Sequence, residues 1–164
     1  MVIWIIGQSG CGKTYLAKKL CSQLKKRGKK IFLLDGDEFR KKFSNDLKYT
    51  KADRKKNSLR IQKFCKYLEN QNIIVICSIL SIFINHQKKN RKLFKRYLQI
   101  YIKADTKNIH KRNNKKIYSK NKNVVGKDID FPNPYKSNMI IFNDFTSKYL
   151  LNIKKIIRRI YAKL

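Results

Sequence analysis

Five short apolar runs punctuate this chain, at Val2–Ile6, Ile31–Leu34, Ile73–Ser78, Leu98–Ile102 and Met139–Phe142. Each is a continuous run rather than an alternating one, as expected of strands covered on both faces. Helix-length segments of mixed polarity separate them. The order therefore reads β-α-β-α, and predicts an α/β fold with a central parallel sheet of about five strands. The first helix is expected from Lys13 to about Lys26, with Leu16, Ala17, Leu20 and Leu24 on one face and a stop near Gly28. A second, from about Ala52 to Asn70, is expected to bury Leu59, Ile61, Phe64, Cys65 and Leu68. Residues 85–96 read as a polar connector with helical character, and Asp105–Arg112 as a helix with Asp105 near its cap. Residues 113–127, rich in Asn and Lys without an apolar period, read as a loop.

The final stretch, Ser147 to Leu164, aligns Leu150, Ile153, Ile156, Ile157, Ile160 and Leu164 on one stripe. Lys154, Lys155, Arg158, Arg159 and Lys163 take the opposite face. A basic amphipathic helix of this kind suits a membrane surface or the flank of its own sheet, and the second is the expectation here. No internal repeat or interdomain linker interrupts the pattern, so residues 1–164 are expected to form one domain.

Composition changes this picture little. The 42% hydrophobic content suits a packed core, and the longest apolar run, Ile73 to Ile84, is too short to span a bilayer. The amino-terminal residues lack the basic region of a secretory leader, which gives a cytoplasmic expectation. Four cysteines, at 11, 21, 65 and 77, show no metal-binding spacing and are expected to be reduced thiols. The net charge of +31 is extreme, from 41 Lys and Arg against 10 Asp and Glu. Those charges are spread over the whole length, alongside abundant Asn and Ile, which fits a compositional bias better than a nucleic-acid footprint. Neither a specific nucleic-acid partner nor a membrane is expected.

The candidate chemistry begins behind the first strand. Gly7-Gln8-Ser9-Gly10-Cys11-Gly12-Lys13-Thr14 matches the phosphate-cradling pattern G-x-x-x-x-G-K-[ST], set between an apolar strand and an amphipathic helix as that pattern requires. Its glycines let backbone N–H groups turn toward a phosphate chain. Lys13 can reach the β- and γ-phosphates of a nucleoside triphosphate, and the Thr14 hydroxyl can ligate Mg²⁺. The second strand runs into Leu34-Asp35-Gly36-Asp37, with Arg40 following. Carboxylates at a strand's carboxyl end, beside a phosphate loop, stand where open parallel sheets bind ligands. One can hold Mg²⁺ and the other can accept a proton from an attacking hydroxyl; an Asp-Gly turn with a helix N-cap is the plainer alternative. Lys13, Asp35 and Asp37 are the candidate catalytic residues, and Thr14 and Asp35 the candidate metal ligands.

Several ordered motifs resemble the adenylylsulfate kinases. The family's I-W-(I/F)-x-G-x-S-G-x-G-K-(ST) is similar to Ile3 through Thr14, and its L-D-G-D-x-x-R to Leu34 through Arg40. Its F-S-x-x-D-R-x-x-N-x-R-R-I is similar to Tyr49 through Ile61, with Asp53, Arg54, Asn57 and Arg60 in place. Weaker echoes are Ser78-Ile-Leu-Ser81 and Arg112-Asn-Asn-Lys115-Lys-Ile-Tyr118. The resemblance implies a three-layer P-loop nucleoside-kinase-like fold and ATP-dependent phosphorylation of a ribose 3′-hydroxyl. The acceptor it implies is a small nucleotide whose 5′ end carries an activated anion. Asp37, Arg40, Tyr49, Arg54, Asn57 and Ser81 would then surround the acceptor, and Lys115 and Tyr118 would sit in a lid closing over both nucleotides. Ser81 matches a family serine proposed as a phosphate carrier, but direct in-line transfer needs none, so it reads as a pocket residue. A homodimer is left open.

Departures from the family pattern bear on the acceptor. Ile82-Phe83-Ile84 stands where the family has P-Y-R after its serine, and the lid is about five residues short. Val124-Val125-Gly126 replaces F-T-G, whose phenylalanine stacks on the acceptor adenine, leaving Tyr49 as the remaining stacking aromatic. One lost base–aromatic stack weakens purine binding by roughly 1–3 kcal/mol. The Val124–Ile129 sequence also resembles the kinases of cytidine diphosphoramidate that act in capsular polysaccharide modification. Adenylyl sulfate and cytidine diphosphoramidate both remain as acceptors at this stage. A nucleic-acid-binding P-loop ATPase or polynucleotide kinase is the alternative that the charge suggests, and a non-catalytic relative the one that the short lid suggests. Intact Lys13, Thr14, Asp35 and Asp37 speak against the latter.

Overall fold

The apolar runs become strands because a parallel sheet clad on both faces has no wet side to alternate toward. In the computed structural model residues 1–112 and 123–163 are described, apart from the side chains of 110, 112 and 147. Strand β1 (Val2–Ile6) is wholly buried and sits at the centre. It pairs in parallel with β3 (Ile74–Ile79) and β4 (Tyr97–Lys103), in the register Ile3↔Ile76 and Ile3↔Leu98. Outside them lie β2 (Ile31–Asp35) and β5 (Met139–Phe142), giving the order β2-β3-β1-β4-β5, all parallel. The predicted sheet of about five strands is the observed one. The two edge strands depart from continuous burial: Phe32, Ile140 and Phe142 are exposed, because an edge is clad on fewer sides.

Alternate residues of β1 feed two cores. Ile3 and Ile5 pack with α1 (Lys13–Lys25) and α6 (Asn152–Tyr161). Val2, Trp4 and Ile6 pack with Phe39 of α2 (Gly36–Phe43) and with Ile61, Cys65 and Leu68 of α3 (Lys51–Asn70). Helix, sheet and helix make three layers.

Helix α1 buries Leu16, Ala17, Leu20 and Leu24 as the spacing predicts, and the chain turns at Gly28 with φ +72°. Helix α3 buries Ile61, Cys65 and Leu68, while Leu59 and Phe64 are half-buried. Its covered face is instead notably polar, including Asn57, Ser58, Gln62 and Glu69. The polar connector is the helix α4 (Ile84–Leu93), whose Gln87 and Asn90 are buried and hydrogen-bonded. Asp105 Oδ1 accepts from the Lys107 amide at 2.8 Å and so starts α5 (Thr106–Arg112).

One expectation about an element is met and one needs correction. Helix α2 is the helix that the N-cap reading of the Asp-Gly turn allows: Asp35 caps it, with Asp37 and Glu38 in its first turn and Arg40, Lys41 and Lys42 in its last. The carboxyl-terminal helix does not begin at 147. Residues 147–151 form a 3-10 turn, capped by Thr146, that buries Tyr149 and exposes Leu151 before α6 begins. The stripe of Ile156, Ile157 and Ile160 packs on the sheet as expected, and Leu164 lies outside the described residues. All four cysteines are buried free thiols. No helix among the described residues is long and apolar enough to cross a membrane.

Candidate active site

The loop between β1 and α1 is shaped by what its glycines permit. A Cβ on Gly7 would lie 2.5 Å from Cys11 Sγ and 2.6 Å from the Ile102 carbonyl oxygen. Gly10 and Gly12 adopt φ of +83° and +95°, a region that only glycine enters cheaply. Helix α1 has no side-chain cap, so its first amides point toward the loop as an anion site does. Lys13 Nζ donates to the Gln8 carbonyl at 2.6 Å, holding the ammonium over the loop. Cys11 lies beneath, its thiol pKa pushed up by burial and pulled back less strongly by Lys13.

Support for this loop comes from the far end of the chain. Asn143, just past β5, donates through Nδ2 to the Cys11 carbonyl at 2.9 Å. Tyr149 donates its hydroxyl to the Gly12 carbonyl at 3.3 Å. Both were missed in the sequence; the one signal was that Asn143 follows a strand's carboxyl end, where α/β ligands bind. The 3-10 turn that displaced the helix start is what carries Tyr149 to the loop.

Asp35 caps a helix with one carboxylate oxygen and meets the phosphate loop with the other. Oδ1 accepts from the amides of Asp37 at 3.0 Å and Glu38 at 3.4 Å, capping α2. Oδ2 accepts from the Thr14 hydroxyl at 2.7 Å. A hydroxyl and a carboxylate so joined present oxygen ligands of the kind that Mg²⁺ takes, so the residues fit that ion. Asp37, in the first turn of α2, lines the same cleft.

That cleft is a cavity of about 1080 Å³ running from Lys13 and Thr14, past Asp35 and Asp37, to Arg40, Tyr49, Arg54, Asn57 and Ser81. Arg40 is buried and donates to the Lys48 carbonyl at 2.7 Å. Arg54 donates to the carbonyls of Tyr49 at 3.0 Å and Asn123 at 2.9 Å. Burial, then the nearby Arg40 charge, lowers its pKa. Both guanidinium groups lie over the Tyr49 ring, at 5.0 and 5.4 Å from its centroid. The ring expected to stack on a base therefore carries cations as the protein stands. Ser81, with φ +52°, accepts from Trp4 Nε1 at 3.1 Å, which fixes it as a wall residue. Asn57 is buried, and among the described residues its Oδ1 has no hydrogen-bond partner. Arg60 instead pairs with Asp46 on the exposed face of α3, at 2.7 Å between Nη2 and Oδ2. Lys115 and Tyr118 lie outside the described residues. Val124 and Val125 close the cavity in a turn whose Gly126 lies against Gln8.

Residues 1–141 match the adenylylsulphate kinase family. The chain is 34% identical, over 164 residues, to the cytidine diphosphoramidate kinase of Campylobacter jejuni, covering 97% of this chain and 95% of that protein. It is 33% identical over 170 residues to the adenylyl-sulfate kinase of Thermodesulfovibrio yellowstonii, covering 99% and 84%. Its fold matches the APS kinase of Mycobacterium tuberculosis solved with AMPPNP and APS, with a TM-score of 0.87 and 22% identity over 96% of this chain and 95% of that one.

Proposed function

The chain belongs to the adenylylsulphate kinase family, and from that membership and the cleft we propose an ATP-dependent kinase for the ribose 3′-hydroxyl of a small nucleotide with an activated 5′ anion. The observation that carries the reading is the Thr14–Asp35 hydrogen bond, 2.7 Å long, at the junction of phosphate loop and acceptor cavity. The ATP phosphates would rest on the amides of residues 7–14, with Lys13 on the outer phosphates. Thr14 and Asp35 are the residues that would hold Mg²⁺. A divalent cation there neutralises charge on the phosphoryl group in flight.

Asp35, bonded to Thr14 beside the phosphate loop, is assigned to holding the cation. Proton acceptance from the attacking hydroxyl is assigned to Asp37. Arg40 and Arg54 hold the acceptor's anionic groups, since a guanidinium forks onto phosphate or sulfate oxygens. Tyr49 keeps those two arginines in place, and Asn57 and Ser81 complete the wall. Such an enzyme works where ATP is made and used, in the cytoplasm.

The two relatives act, by name, on different acceptors, so the acceptor is what a direct assay decides. The protein is incubated with ATP and Mg²⁺ plus either adenylyl sulfate or cytidine diphosphoramidate, and products are weighed by mass spectrometry. The expected result is one added phosphoryl group on at least one acceptor. ADP formation with neither acceptor modified would overturn the proposal.

A further inference from the structure

Asn57 and Ser58 follow one another on α3 and both line the cavity, although only 6% of each is exposed. Asn57 Oδ1 has no hydrogen-bond partner among the described residues, and a buried polar atom left so is costly unless a ligand completes it. Ser58 Oγ lies 2.9 Å from Nδ1 of His86, on α4. The His86 ring is buried against Phe83, with ring centroids 5.2 Å apart. Gln62 bonds the His86 carbonyl at 3.1 Å and Asn90 Oδ1 at 2.6 Å, which fastens α4 to α3 behind the pair. Burial, then the charges of Lys55 and Lys89, lowers the His86 pKa, which favours the neutral imidazole. In the tautomer that leaves Nδ1 bare, the Ser58 hydroxyl donates to it and turns the serine oxygen's lone pairs to other partners as acceptors.

Two adjacent oxygen acceptors thus stand in one wall, between the apolar side chains of Ile61, Ile82 and Phe83. A terminal sulfate brings only further acceptors to such a wall. A terminal P–NH₂ group brings N–H donors and carries the same single negative charge. We infer that Ser58, oriented by His86, sets acceptor specificity by receiving a hydrogen bond from an N–H on the acceptor's terminal group, favouring a phosphoramidate end over a sulfate end. The inference rests on the nucleotide-kinase reading above and names the substrate class within it.

The test holds the base constant. Turnover is compared for cytidine diphosphoramidate and for cytidylyl sulfate, which share the nucleoside and differ at the terminal group. The wild type is expected to favour the phosphoramidate by at least about tenfold in kcat/KM, the scale of discrimination when a site's polar groups lose their partner. Ser58→Ala should lower kcat/KM for the phosphoramidate by about tenfold and change that for the sulfate by less than about threefold. Ser58→Thr, which keeps the hydroxyl, should preserve the preference. His86→Phe, which keeps a ring but loses Nδ1, should reduce it. A wild-type ratio near one, or an equal fall on both acceptors in Ser58→Ala, would overturn the inference and leave the kinase reading standing. Turnover of neither acceptor by the wild type would overturn both.

Discussion

Among the described residues the Lys13 ammonium donates to the Gln8 carbonyl and to Cys11 Sγ, both in the loop itself, so it is held for a ligand and not for the core. Lys13→Ala is expected to keep the fold and lose on the order of 10²–10³ in rate, as when one preorganised electrostatic partner is removed. Retention of more than about a tenth of wild-type turnover would remove this loop from the reaction. The two aspartates should separate in a way that the motif alone does not show. Asp35→Ala removes both the Thr14 bond and the α2 cap, so it should lower thermal stability, by about 1 kcal/mol for the cap, as well as turnover. Asp37→Asn should lower turnover with a smaller loss of stability, the first-turn charge of α2 alone being removed. Melting curves and steady-state rates on both variants check this, and equal stability losses would contradict the assigned division of roles. Lys13, Thr14, Asp35 and Asp37 were legible because their spacing is short and tied to a strand end. Ser58 and His86 were not, since 28 residues separate them and only the packing of α4 on α3 brings them together.

Among elements, the strands were legible from continuous apolar runs, and their limits moved by a residue or so. Helix α2 shows only its cap in the sequence and not its length, because it is eight residues long and built on charge and capping rather than on an apolar stripe. Residues 124–129 are the element most open to engineering. The Val124 carbonyl accepts from the amides of Lys127, Asp128 and Ile129, and its own amide donates to Asp128 Oδ2 at 2.9 Å. The backbone there is held while the side chain borders the cavity. Val124→Phe should therefore add aromatic surface without moving the turn. Binding of adenylyl sulfate should improve by at most roughly 1–3 kcal/mol, with little gain for cytidine diphosphoramidate. The ratio of kcat/KM for the two acceptors reads the effect. A wild type that strongly prefers adenylyl sulfate, with an unmoved ratio in the variant, would contradict the altered pocket.

For the whole molecule, the sheet was predictable because every strand needs cover on both sides, while the polar seam between α3 and α4 had no periodic signature. That seam makes stability depend on pH. His86 is buried with its pKa below the ordinary 6.5, so the unfolded chain binds its proton first as the pH falls. The stabilisation is complete above about 6.5 and is lost as the pH drops toward the folded-state value. Wild-type melting temperature should fall more steeply between about pH 7 and pH 5 than that of His86→Gln. Parallel slopes would place the charge-sensitive group elsewhere. The site of transfer is read from the ³¹P–¹H coupling of the product made from ATP, Mg²⁺ and the preferred acceptor. A new phosphomonoester coupled to the ribose H3′ is expected; phosphate at the 2′ position, or inorganic phosphate released without any product ester, would overturn the 3′-kinase reading.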